Sequence, residues 1–142
     1  MACCDIIVEQ LHTIVRYDIL MEEEILADPI IPKQVITYAD SNGREPFTKW
    51  LNRLRDSEGR YGILKRIHRL EQGNCGDCEP VGEGVSELRI FFGPGYRVYF
   101  GEHGNNIVVL LCGGGKDSQK NDIQQAKEYW KDYKNEKLQN HR

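Results

Sequence analysis

The run Ile107-Val108-Val109-Leu110-Leu111-Cys112 is apolar throughout. Six such residues in a row, half of them β-branched, predict a central strand covered on both faces. Two more strand-like runs precede it, Val85 to Phe92 and Tyr96 to Gly101. Gly93-Pro94-Gly95 and Glu102-His103-Gly104-Asn105 supply turn chemistry for hairpins between the three.

The rest of the chain provides the cover. Gln34 to Tyr38 is a short β-branched and aromatic run suited to a strand, and Asp40-Ser41-Asn42-Gly43 ends it with a turn signal. Pro46 fits the first turn of a helix, whose core stripe is Phe47, Trp50, Leu51 and Leu54. Asp56-Ser57 caps a second helix with apolar positions Tyr61, Leu64, Ile67 and Leu70, and Gly73 stands just past its end. Arg60, Lys65, Arg66 and Arg69 are expected on its solvated side. Gly113 to Gly115 release the chain after the central strand, and Ser118 to Asn135 form a last, polar helix. Strand, two helices, three strands and a helix make an α+β domain over residues 34–142, with helices packed on a small, mostly antiparallel sheet.

Residues 1–33 read as an appendage. Ile7, Leu11, Ile14, Val15 and Ile19 fit one amphipathic helix, an unstructured tail being the alternative; Glu22 to Glu24 follow, then Pro29 and Pro32. Met21 offers a second candidate start. The first 31 residues carry seven acids and one base, leaving eighteen bases against fifteen acids in the other 111. Residues 44–72 alone hold eight Arg or Lys against four Asp or Glu. A net charge of −3 therefore hides a basic region, and local charge is what an anionic ligand meets, because screening limits reach to about 8 Å.

Composition narrows the class. Hydrophobic residues at 39% and charged residues at 29% fit a globular chain of 142 residues with one core. No apolar run approaches the roughly 20 residues of a membrane helix. Asp5, Glu9, Arg16 and Asp18 interrupt any leader-like stretch, so a cytoplasmic protein without a membrane partner is expected. Cys75-Gly-Asp-Cys78 has half a zinc-site spacing without a second half, and is read as a loop with two free thiols; no metal and no cofactor are expected. Cys112 is read as a small buried hydrophobe.

Arg89, Arg97 and Lys116 stand at the ends and turns of the three C-terminal strands. One concave surface carrying all three would suit a phosphate or a phosphodiester backbone. Gly113-Gly114-Gly115-Lys116 is not a nucleotide loop, since Asp117 follows the lysine and the glycine spacing is wrong.

GREPFTKWLNRLRD, RIHRLEQGNCGDCEPVGEGVSELRIFFGPGYRVYF and VVLLCGGGKDSQKNDIQQAK occur in this order. Together they resemble the RelE/HigB superfamily of bacterial toxins, nearest to the phage-derived, Gp49-like addiction module killer protein group, over roughly residues 34 to 130. The resemblance implies a microbial-RNase-like fold and a type II toxin silenced by a helix-turn-helix antitoxin. It implies metal-independent cleavage of messenger RNA on the ribosome, by attack of the 2′-hydroxyl on its own 3′ phosphate. Arg97, in Gly95-Tyr96-Arg97, matches the arginine that contacts the scissile phosphate; an ion pair with Glu87 or Glu102 is the structural alternative. Arg89 and Lys116 match basic catalytic positions, each with a purely surface alternative. Arg53, Arg60, Arg66 and Tyr96 are the candidate RNA contacts, Tyr96 by stacking on a base. Ile90, Phe91 and Phe92 after Arg89, and Asp117 after Lys116, depart from RelE, and no general base stands out. A noncatalytic gyrase poison of the ParE kind, or a degenerate protein that only binds an antitoxin, is the alternative.

Overall fold

The computed structural model describes residues 32–140. The amphipathic helix expected before Leu20, and all of the acidic extension but its last two residues, lie outside these. Five strands and three helices follow in the order β1 (Gln34–Thr37), α1 (Pro46–Arg53), α2 (Ser57–Glu71), β2 (Cys78–Gly82), β3 (Val85–Ile90), β4 (Tyr96–His103), β5 (Ile107–Gly114) and α3 (Gln119–Asn140). This is an α+β domain on one mixed sheet of order β1-β5-β4-β3-β2. β1 runs parallel to β5, pairing Gln34 with Ile107, and the other neighbours are antiparallel.

The apolar run of β5 lies inside the sheet and is buried on both faces. Val108 and Leu110 join Phe47, Leu51, Ile63, Ile67 and Leu70 of α1 and α2. Val109 and Leu111 join Ala126, Trp130 and Tyr133 of α3. Period-two alternation thus sends successive side chains of one strand into two separate cores.

Five expectations about the fold need correction. Cys78 to Gly82, where no strand is expected, form an edge strand on β3. Pro80 is tolerated there because an edge strand has an unpaired side. In α2 the buried stripe is Ile63, Ile67 and Leu70, while Tyr61 and Leu64 are 70% and 48% exposed. The i, i+4, i+7 series from Ile63 faces the sheet; Ile67 and Leu70 of the expected stripe are buried with it, and only Tyr61 and Leu64 turn outward. Cys75 and Cys78 are not free thiols but a disulfide, with a Cα–Cα separation of 6.1 Å. Arg66 is not on a solvated face: its guanidinium donates to the carbonyls of Arg89 (2.8 Å) and Cys75 (3.0 Å), fastening α2 to β3 and to the cysteine loop.

Gly113 and Gly114 do not release the chain; they are the buried end of β5. A Cβ on Gly113 would run into the Trp50 ring, and one on Gly114 into Asp122 and Ser118. On the α3 face, Trp130 covers Gly101 in the same way, with ring carbon Cε3 only 2.5 Å from where a Cβ would lie. The glycines are there because flat rings and polar groups press on the backbone. Gly115 meets only the Gly95 carbonyl, at 4.0 Å. Gly113→Ala should therefore lower stability by about 1–3 kcal/mol, as overpacking does, while Gly115→Ala should leave the thermal midpoint nearly unchanged. Circular dichroism melting of the two variants checks this.

Candidate phosphate-binding site

β3 and β4 pair so that Arg89 lies directly opposite Arg97. Like charges in that register destabilise a sheet, so something must neutralise them. Glu87 does. It precedes Arg89 by two residues and so projects from the same face. Its carboxylate lies 3.5 Å from Arg89 Nε through one oxygen and 3.5 Å from Arg97 Nε through the other. Its side chain is only 4% exposed, and two neutral donors complete its surroundings: Tyr99 Oη and Gln119 Nε2, each at 3.0 Å. Gln119, the first residue of α3, thereby ties that helix to this cluster.

Arg89 makes a second ion pair, through Nη2 with Glu79 of the edge strand. Hydrogen bonding to Glu79 is the main cause that raises the Arg89 pKa further above its usual value. The two carboxylates differ in kind. Glu79 is 64% exposed, whereas Glu87 is fixed in the interior. An exposed pair contributes only about 0–1 kcal/mol, so an incoming anion can displace Glu79 at small cost.

Arg89, Arg97 and Lys116 line one small cleft together with Ile90, Phe91, Gly95 and Tyr96. Its volume is about 10 Å³, room for roughly one water. Arg97 Nη1 and the Nε atoms of both arginines are buried without a hydrogen-bond partner among the described residues. Lys116 reaches the cleft because Gly95, at φ +87°, has no side chain, and the lysine Cε passes 3.1 Å from where one would begin. Lys116 forms no ion pair among the described residues.

The four expected RNA contacts fare differently from these three cations. Tyr96 lines the cleft but is 8% exposed, edge-on to Trp50, and its hydroxyl donates to Asp56 at 2.7 Å. That hydroxyl and the Gly59 N–H share the Asp56 carboxylate, which caps α2; the Gly59 bond is the larger cause of its lowered pKa. Tyr96 is a core residue with no face free for a base. Arg66 is committed to main-chain carbonyls. Arg53, in the last turn of α1, is exposed, and Arg60, early in α2, is half-buried; neither lines the cleft. Glu102, considered as a partner for Arg97, pairs instead with Lys33 at 3.0 Å. His103 packs edge-on against Tyr133 and His68 is exposed on α2, so neither is a cleft residue; His12 lies outside the described residues.

No family model matches the chain. An "Uncharacterized protein" of Haemophilus influenzae is 47% identical to it over 81 residues, which are 57% of this chain and 82% of that protein. The chain belongs to that protein's family. The Haemophilus relative's name states no activity, so the chemistry of the cleft rests on its own residues. No helix among the described residues is long and apolar enough to cross a membrane.

Glu87 and Tyr99 give this cluster two measurable properties. Glu87→Gln preserves shape but removes the charge between two facing arginines, and should cost about 2–4 kcal/mol in denaturant unfolding. Adding Arg97→Gln should recover part of that loss. Burial, then the Glu87 charge, raises the Tyr99 pKa above its ordinary 10.0. The folded state thus favours the protonated phenol. That stabilisation is complete below the ordinary value and is lost as pH climbs through the raised one. Unfolding free energy should therefore decline above about pH 10 less steeply in Tyr99→Phe than in the wild type.

Proposed function

We propose that the protein is the toxin of a type II toxin–antitoxin module, of RelE/HigB-like fold, and a metal-independent, ribosome-dependent endoribonuclease of messenger RNA. The observation that carries the reading is the convergence of Arg89, Arg97 and Lys116 on one cleft, where Arg97 keeps a buried guanidinium nitrogen without a partner. Two arginines set face to face add nothing to the stability of a hairpin. A dianionic phosphorane would use both.

In the proposed reaction the substrate's 2′-oxygen bonds to the adjacent phosphorus and releases its proton. The P–O5′ bond then breaks, leaving a 2′,3′-cyclic phosphate and a 5′-hydroxyl, which takes up a proton. Arg97 holds the non-bridging oxygens, Lys116 adds a flexible charge from the β5–α3 turn, and Arg89 binds the phosphate after exchanging Glu79 for it. Glu87 positions both guanidiniums from below and does not line the cleft. The lining contains neither histidine nor carboxylate, so rate enhancement comes from positioning and charge stabilisation. A helix-turn-helix antitoxin is the partner this reading implies.

The pairing of both arginines with carboxylates favours one second reading, a noncatalytic ParE-like protein that binds gyrase. A translation reaction with purified protein, followed by mapping of message 5′ ends, separates the two. Cuts at codon boundaries that require ribosomes, and fall about 100-fold or more in Arg97→Ala and Lys116→Ala, are expected. Intact message with gyrase-dependent DNA breaks would select the second reading. Glu79→Gln should strengthen binding of an uncleavable RNA oligonucleotide, because it removes the anion that competes for Arg89.

A further inference from the structure

Phe91 follows the last residue of β3 and is 75% exposed. Ile90 before it is buried, and Phe92 after it lies 3.8 Å from where a Cβ on Gly62 would begin, backed by α2. Phe91 has no aromatic or cation–π partner among the described residues. It is nevertheless a wall of the cleft that holds Arg89, Arg97 and Lys116. An apolar ring left in water beside three cations gains nothing from folding. A nucleotide, with an anionic phosphate joined to a flat apolar base, matches both halves of this surface.

We propose that Phe91 is the base-stacking platform of this cleft, receiving the nucleobase next to the phosphate held by the three cations. The ligand is then single-stranded RNA with an unpaired base at this position, since a base inside a duplex has no free face to offer. Stacking on a phenylalanine face tolerates any base, so Phe91 sets grip rather than sequence. This role falls to Phe91 and not to Tyr96, whose ring is enclosed between Trp50 and the Asp56 cap. The proposal rests on the phosphate-binding reading of the cleft, and the test keeps the two apart.

The test uses the full chain and two probes of equal length and charge: a 2′-O-methyl RNA hexamer, which cannot be cut, and its abasic counterpart. Affinities are measured by fluorescence anisotropy at one salt concentration. Wild type should bind the base-bearing probe about tenfold or more tightly than the abasic one, the equivalent of roughly 1.4 kcal/mol for one stacked base. Phe91→Leu should erase that difference while leaving abasic binding unchanged, and Phe91→Tyr should keep it. Arg97→Ala should weaken both probes. In Phe91→Trp, tryptophan emission should change with the base-bearing probe and not with the abasic one. If Phe91→Leu keeps the full preference for bases, the stacking proposal is wrong even where Arg97→Ala still weakens binding, and the exposed ring is left for a protein partner. If wild type binds neither probe, the phosphate reading fails first and takes the proposal with it.

Discussion

Everything in this domain is arranged around one strand that has no solvent face. β5 carries alternate side chains into two cores, so helices must cover both sides of the sheet, and neighbours must pair with both of its edges. β1 fills one edge in parallel and β4 the other in antiparallel. Trp50 lies against the end of the strand at Gly113, a contact only glycine permits. With that end fixed, the chain leaves β5 where Lys116 passes over Gly95 and into the cleft. A packing constraint on an apolar strand therefore sets the position of a charged side chain on the surface.

The electrostatic arrangement follows a different logic from the packing. Facing arginines on β3 and β4 raise the energy of the hairpin, and a buried glutamate between them offsets the repulsion. Glu87 is held by Tyr99 and Gln119, so the arrangement is rigid on its inner side. On its outer side Arg89 is held by the exposed Glu79 alone, and an ion pair in water is exchanged easily. The guanidiniums are thus pre-positioned from within and exchangeable from without, the condition for binding an anion without reorganising the protein. The exposed ring of Phe91 stands at the same opening.

Several features were legible because they depend on local pattern. The two-faced burial of β5, the stripe of Phe47 and Leu51 in α1, the Asp56 cap and the turn at Gly93-Pro94-Gly95 appear where spacing and turn chemistry put them, whereas the second turn is shifted to residues 104–106 because Glu102 and His103 pair with β5. Others were not, for identifiable reasons. β2 contains Glu79, Pro80 and Gly82, poor strand residues that only an edge position accepts. The phase of α2 was ambiguous at its start because Tyr61 and Leu64 also carry large, mostly apolar side chains, and only the sheet beneath decides that Ile63 is buried with Ile67 and Leu70. The glycines after Cys112 resembled a loop, since nothing in the sequence reveals that Trp50 and Asp122 lie against them.

The same division holds for the candidate site. Sequence alone determined the chemical character of the cleft, because Arg89, Arg97 and Lys116 stand at strand ends and turns, where a small sheet presents its side chains. It also contained the signal for Glu87, two residues before Arg89 and so on the same face, though alternation alone does not say that this carboxylate is buried. Tertiary structure decided which aromatic faces the opening, enclosing Tyr96 against Trp50 and leaving Phe91 outside. It also committed Arg66 to carbonyls and gave Arg89 its exposed partner from an edge strand. Side-chain type and alternation are written in neighbouring residues, whereas burial, pairing and close approach depend on contacts between segments far apart in the chain.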